Sequence, residues 1–70
     1  MQNDLVLRRA ERGWSQAQLA EKLGVSRQTI VSIERGRFDP SLPLAFHIAR
    51  VFQCAIEDVF TPTVGNDATA

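Results

Sequence analysis

The sequence is poor in the residues that build covalent or metal cross-links. It has one cysteine, Cys54, and one histidine, His47, in 70 residues. An internal disulfide is therefore excluded, and no ligand set remains for a structural metal ion. The chain also lacks a nucleophile elbow, a glycine-rich phosphate loop and a paired-carboxylate motif. We therefore expect no catalytic residues, no metal and no cofactor, and a protein stabilised by packing within the chain or against a partner subunit.

Long apolar runs and a net charge are missing as well. No run approaches the roughly 20 residues needed to span a bilayer. The N-terminus lacks the basic start and apolar stretch of a secretory signal, so we expect a cytoplasmic location and no membrane partner. Eight basic residues balance eight acidic ones, but residues 8–37 hold seven basic and three acidic side chains, a local charge of +4. This asymmetry is typical of a surface that faces a polyanion, although a mixed solvated surface also fits it.

The chain contains short helical patterns separated by turn signals, with no internal repeat and no alternating strand pattern before the tail. The first helix is expected to begin after Asn3 or Asp4 and to use an apolar face made of Leu5, Val6, Leu7 and Ala10. The stretch after Phe60 is either a frayed tail or a short extended strand. The five helices are predicted at residues 5–12, 16–23, 27–35, 42–53 and 56–60.

Residues 16–35 carry the clearest local signals. Ser15 and Gln18 form a capping box before the second helix, and Ser26 caps the third. Ala20 is small enough for a close helix crossing, and Gly24 in the joint tolerates a positive φ. Two capped helices separated by three residues, with glycine between them, form the pattern of a helix-turn-helix. The apolar residues expected beneath the motif are Leu19, Leu23, Val25, Ile30 and Ile33.

With those residues in the core, the opposite face of the third helix points outward. That face carries Arg27, Gln28, Val31, Ser32 and Arg35. Arginine can bind guanine O6 and N7 with two donors, and glutamine can pair with adenine N6 and N7. Arg27 and Gln28 both lie in the first turn of the helix, the part of a DNA-reading helix that is nearest the base edges. The pattern favours DNA reading over an ordinary solvated surface.

The pattern as a whole resembles the Cro and phage-repressor type of helix-turn-helix domain, the XRE family. The segment at residues 39–60 further resembles a branch of short stand-alone bacterial and archaeal regulators of that family. The resemblance implies an all-α, five-helix lambda-repressor-like DNA-binding domain at residues 3–60, followed by a short tail at residues 61–70. The matching residues are Arg9, Gly13, Trp14, Ser15, Gln16, Leu19, Ala20, Gly24, Val25, Ser26, Ile30, Ile33, Glu34 and Gly36.

The resemblance also assigns roles to individual side chains. It implies that Gln16 binds a phosphate and braces Gln28. It implies that Arg9 and Glu34 form a salt bridge that joins the first helix to the third. The residues assigned to base readout are Arg27, Gln28 and Ser32. The other residues assigned to the DNA backbone are Ser26, Thr29, Arg35 and Arg37.

The chain departs from the family pattern at Arg8, where relatives carry leucine. This residue can either lay its aliphatic stem over the core or remain solvated, and we expect solvation.

The sequence therefore predicts a transcriptional regulator, most simply a repressor, that binds double-stranded DNA as a homodimer on a pseudo-palindromic site. An antitoxin that binds a protein toxin and represses its own operon is the main alternative, and a degenerate domain used only for protein contacts is a second. The apolar residues expected to form the dimer surface are Phe46, Val51, Ile56, Val59, Phe60 and Val64.

Overall fold

The computed structural model describes residues 2–61, and five helices account for most of them. The predicted all-α fold of five helices is confirmed. The tail from residue 62 onward, including Val64, lies outside the described residues. No helix in residues 2–61 is long and apolar enough to cross a membrane. The elements are β1 (Gln2–Asn3), α1 (Leu5–Glu11), α2 (Gln16–Leu23), α3 (Arg27–Glu34), α4 (Leu42–Val51), α5 (Ile56–Val59) and β2 (Phe60–Thr61).

Serine caps fix where α2, α3 and α4 begin. The Ser15 hydroxyl accepts from the Gln18 backbone N–H at 3.0 Å, and the Ser15 N–H donates to Gln18 Oε1 at 2.8 Å. This reciprocal capping box satisfies donors that the first turn of a helix leaves unpaired. Ser26 and Ser41 accept in the same way from the backbone N–H three residues further on. The starts of these three helices therefore follow from short-range hydrogen bonding.

The turn between α2 and α3 is closed by the backbone. Gly24 ends α2 with φ at +71°, a conformation that costs an L side chain roughly 1–2 kcal/mol. The Val25 N–H then donates to the Ala20 carbonyl at 3.0 Å. Ala20 itself is 4% exposed, so its small side chain lets α2 and α3 approach closely. The turn thus sets the direction in which α3 leaves α2.

The core lies beneath α2 and α3 and is closed on the other side by α4 and α5. From α3 it takes Ile30 and Ile33, both buried. Val25 packs against the core but is only half-buried. Two isoleucines therefore hold the inner face of α3 in the core, as the sequence predicted. The buried hydrophobic residues are Leu5, Leu19, Ala20, Leu23, Ile30, Ile33, Ala45, Ile48, Ala49, Phe52, Val59 and Phe60.

Two expectations about α1 are wrong. Its apolar face does not pack as a unit, because Leu5 is buried whereas Val6 and Leu7 are more than half exposed. Arg8 is not solvated either. It is half-buried, and its Nη2 donates to the Asp58 carbonyl at 3.3 Å. Helix α1 has only two turns and touches the core along one edge, so polar contacts with other elements fix its position.

The extended segment at Phe60 pairs with the other end of the described chain. Strand β2 runs antiparallel to β1, with Asn3 opposite Phe60. The Asn3 side chain accepts from the Leu5 N–H and donates to the Ile33 carbonyl at 2.8 Å, at the end of α3. Val59 and Phe60 are 1% and 6% exposed. Their assignment to a dimer surface is therefore wrong, because the chain's own core already covers them.

Candidate nucleic-acid interface

The outer face of α3 is open to solvent where the sequence placed the DNA-reading residues. Arg27 and Gln28 are exposed in its first turn, and Arg35 is exposed just after its last. Val31 and Ser32, between them, are half-buried. Because Ile30 and Ile33 hold the opposite face in the core, α3 presents its polar side chains to solvent. An α-helix with its side chains is about 10–12 Å across, and a major groove about 12 Å wide admits it.

An ion pair ties α3 to α1. Arg9 Nε lies 2.8 Å from Glu34 Oε2, and Arg9 Nη2 lies 3.3 Å from Glu34 Oε1. The two side chains are 17% and 5% exposed. Arg9 Nη1 also donates to the Trp14 carbonyl at 3.0 Å. A carboxylate at the C-terminal end of a helix opposes the helix dipole, so the guanidinium of Arg9 offsets an otherwise unfavourable position for Glu34.

The ion pair continues through Gln16 to the surface of α3. Gln16 Nε2 donates to Glu34 Oε1 at 2.9 Å, and Arg27 Nη2 donates to Gln16 Oε1 at 3.0 Å. These contacts join Arg9, Glu34, Gln16 and Arg27 into one series of hydrogen bonds, which we call the Arg9–Arg27 relay. Gln16 therefore braces Arg27 here, whereas the family resemblance implied that it braces Gln28. Chain distances of 11 and 18 residues separate Gln16 from its partners, and no local signal in the sequence marks them.

The relay orients Arg27 without consuming its capacity to bind. A guanidinium carries five N–H donors in a fixed planar fork, and the bond to Gln16 uses one of them. The side chain is exposed, so the remaining edge of the fork is accessible from the groove side. This arrangement suits a two-donor contact with guanine O6 and N7, because part of the rotamer entropy of Arg27 is already lost in the free protein.

The residues assigned to the DNA backbone flank this centre. Ser26 and Thr29 stand at the start of α3, where their hydroxyl oxygens are 2.9 Å apart and the Ser26 oxygen also caps the helix. At the other end, the Arg37 N–H donates to the Ser32 carbonyl at 3.0 Å, and the Arg37 side chain is exposed. Candidate phosphate contacts thus lie at both ends of the helix.

Two of the basic side chains in residues 8–37 contact aromatic rings of the chain itself. Arg12 stacks over the rings of Trp14 and Phe52 at 5.6 and 5.1 Å and donates to the Phe52 carbonyl. Lys22 lies 4.6 Å from the Trp14 ring. These cation–π contacts brace the core edge. The local charge of +4 therefore overstates the DNA-facing charge, which depends chiefly on α3 and the loop that follows it.

Residues 2–61 contain no group of three His, Cys, Asp or Glu side chains that could hold a metal ion. Cys54 is a half-buried free thiol packed against the core, and His47 is exposed on α4.

Comparison with known proteins agrees with this geometry. The helix-turn-helix family model matches residues 6–59. The chain is 57% identical over 60 residues to an uncharacterised HTH-type transcriptional regulator of Methanocaldococcus jannaschii, covering 86% of this chain and 91% of that protein. It is 47% identical, with the same coverage, to the uncharacterised HTH-type transcriptional regulator YgzD of Bacillus subtilis.

A solved structure shares the fold. The restriction-modification controller protein C.AhdI from Aeromonas hydrophila superposes with a TM-score of 0.73 at 28% identity, covering 80% of this chain and 85% of that one. The family match at residues 6–59 reaches every helix from α1 to α5 and includes the serine caps, the turn at Gly24 and the core residues from Leu19 to Val59. The chain therefore belongs to the XRE-type helix-turn-helix family of DNA-binding transcriptional regulators.

Proposed function

We propose that this protein is a cytoplasmic, sequence-specific repressor that binds a pseudo-palindromic DNA site as a homodimer. The observation that carries the proposal is the exposed pair Arg27 and Gln28 in the first turn of α3, with Arg27 held by the Arg9–Arg27 relay. In this reading, α3 enters the major groove, Arg27 binds a guanine and Gln28 binds an adenine. Ser32 reads or flanks a further base one turn along.

Backbone contacts position the helix and contribute affinity that does not depend on sequence. Gln16 lies at the start of α2, where its amide can reach a phosphate while it braces Arg27. The free N–H groups of a helix N-terminus favour anions, and α2 and α3 begin close to the same surface. The other residues proposed to contact the backbone are Ser26, Thr29, Arg35 and Arg37.

Random-sequence selection followed by titration at several salt concentrations tests the assignment of the base readers. Arg27→Ala and Gln28→Ala are each expected to lose about 1–3 kcal/mol of discrimination at one base position, because each removes a two-donor or donor–acceptor contact. Arg37→Ala is expected to weaken all sequences alike and to lower the salt slope by about one for each protomer.

His47→Ala is the matched control, since His47 is exposed on α4, an element that carries none of the residues proposed to contact DNA. It should leave affinity, preference and salt slope unchanged. If Arg27→Ala and Gln28→Ala still bind measurably but keep the wild-type base preference, the proposed readers are wrong.

Two features support the dimer, the small size of the reading surface and an apolar groove between α4 and α5. One α3 helix contacts too few bases and phosphates for useful specificity, and half-sites about 34 Å apart match two-fold dimers of this motif. With Val59 and Phe60 in the core, the groove between α4 and α5 remains. Phe46 is 52% exposed at its edge, and Ile56 lines it. Val51 is half-buried nearby on α4. The structural similarity to a restriction-modification controller protein supports a regulatory role for the whole chain.

Phe46→Glu tests this surface. The wild-type protein is expected to sediment as a dimer at micromolar concentration and the variant as a monomer, because dimerisation would bury an unpaired carboxylate. The variant should lose affinity for a two-half-site operator while keeping wild-type affinity for a single half-site. Leu7→Glu, on the exposed side of α1, is the control and should stay dimeric. A wild-type monomer that does not pair even on DNA would refute the dimer.

A further inference from the structure

The loop after α3 carries an exposed aromatic side chain that is not among the residues proposed to contact DNA. Phe38 is 46% exposed. Its ring forms one wall of a small depression, and the other wall is the outer face of α3, with Ser26, Gln28, Thr29 and Ser32. The ring supplies apolar surface beside the polar side chains of α3, and the thymine methyl group is the apolar group that the major groove offers to such a surface.

The depression adjoins the residue proposed to read adenine. Gln28 lines it directly. In the major groove an A·T pair shows the adenine N6 and N7 beside the thymine O4 and C5-methyl group. A glutamine that pairs with adenine therefore brings a thymine methyl close to its own flank. On that flank the structure supplies an aromatic ring and the hydroxyl-bearing side chain of Thr29, which also carries a methyl group.

We propose that Phe38 and Thr29 form a methyl-reading pocket that contacts the C5-methyl group of the thymine in the base pair read by Gln28, and so selects that thymine. The inference rests on the proposed DNA-reading function and adds a specificity-determining residue outside the helix-turn-helix. Charge supports DNA as the occupant: Arg37 precedes Phe38 directly, and its exposed guanidinium can hold the adjacent phosphate while the ring meets the methyl group.

Replacing thymine by deoxyuridine tests the proposal, because it removes the methyl group and changes no hydrogen bond. With an operator from random-sequence selection, each thymine of the half-site is replaced in turn, symmetrically in both halves. For the wild type, one position is expected to show a loss of about fourfold in affinity for each half-site, the effect of one buried methyl-sized group. For Phe38→Ala the ratio of affinities at that position should fall to near one, whereas Phe38→Leu should keep most of it.

Leu7→Ala is the control, because Leu7 is also exposed and apolar but lies on α1 outside the depression. It should keep the full thymine-to-deoxyuridine ratio. The proposal is overturned if no thymine shows the effect, or if Phe38→Ala weakens the thymine and deoxyuridine operators equally. That second result would mean that Phe38 contacts the sugar–phosphate backbone or stabilises the loop, and does not contact a thymine methyl group. Loss of sequence preference in the wild type itself would instead overturn the proposed function, so the two failures are distinguishable.

Discussion

Replacing Glu34 by alanine is expected to lower the free energy of unfolding by about 3 kcal/mol, the lower end of the range for removing one partner of a buried ion pair. The lower end applies because Arg9 keeps 17% exposure and its bond to the Trp14 carbonyl. Glu34 accepts from Arg9 twice and from Gln16 once. The variant leaves that guanidinium without its carboxylate and detaches Gln16 from the relay. Urea unfolding followed by far-ultraviolet circular dichroism measures the loss.

Two further variants separate stability from positioning. Glu34→Gln keeps an acceptor oxygen but loses the charge. Its free energy of unfolding should therefore fall between that of the wild type and that of Glu34→Ala. The double variant Arg9→Met/Glu34→Leu should recover stability relative to Glu34→Ala, because no charge stays unpaired. It should nonetheless discriminate less at the base read by Arg27, since Gln16 has lost its anchor. A Glu34→Ala protein within about 0.5 kcal/mol of wild type would mean that the pair behaves as an exposed one.

The starts of the helices were predictable because their causes are local. Ser15, Ser26 and Ser41 each act within three residues of chain, and a sequence displays such signals directly. The end of α4 was not. The prediction extended this helix to about Gln53, but it ends at Val51, and Gln53 adopts a φ of +57°. Gly24 marks the left-handed residue after α2, because glycine is common at that position. After α4 the left-handed residue is Gln53, a residue type that does not indicate the end of a helix.

The partner of Gln16 on α3 was beyond what the sequence could predict. The resemblance implied that Gln16 braces the recognition helix, yet its partner depends on where the turn at Gly24 points the first turn of α3. That direction is set by packing, so Arg27 rather than Gln28 receives the contact. The prediction of which α1 residues are buried was wrong for a related reason. A helix of seven residues has too few turns for apolar content to indicate which side faces the core.

Replacing Ile30 by alanine is expected to cost about 2–5 kcal/mol, because the side chain is fully buried and its removal leaves a cavity. A domain of this size has a stability near the lower end of about 5–15 kcal/mol. The variant should therefore retain between about 0 and 3 kcal/mol, and its unfolded fraction should become measurable well below the melting temperature of the wild type. Thermal unfolding by circular dichroism checks the loss. Ile30→Val, which removes one methylene, should cost only about 0.5–1.5 kcal/mol.

The Ile30 variants also show whether base reading depends on the core or on the surface of α3. Ligand at about one hundred times its Kd contributes about 2.7 kcal/mol to the folded state, so saturating operator DNA should refold much of the Ile30→Ala protein. The refolded protein still has Arg27 and Gln28 outward, and it should keep the wild-type base preference at reduced apparent affinity. Arg27→Ala should show the opposite behaviour, with an unchanged melting temperature and a changed preference. If Ile30→Ala altered the preference at full saturation, the two buried isoleucines would set the reading angle of α3 as well as its stability.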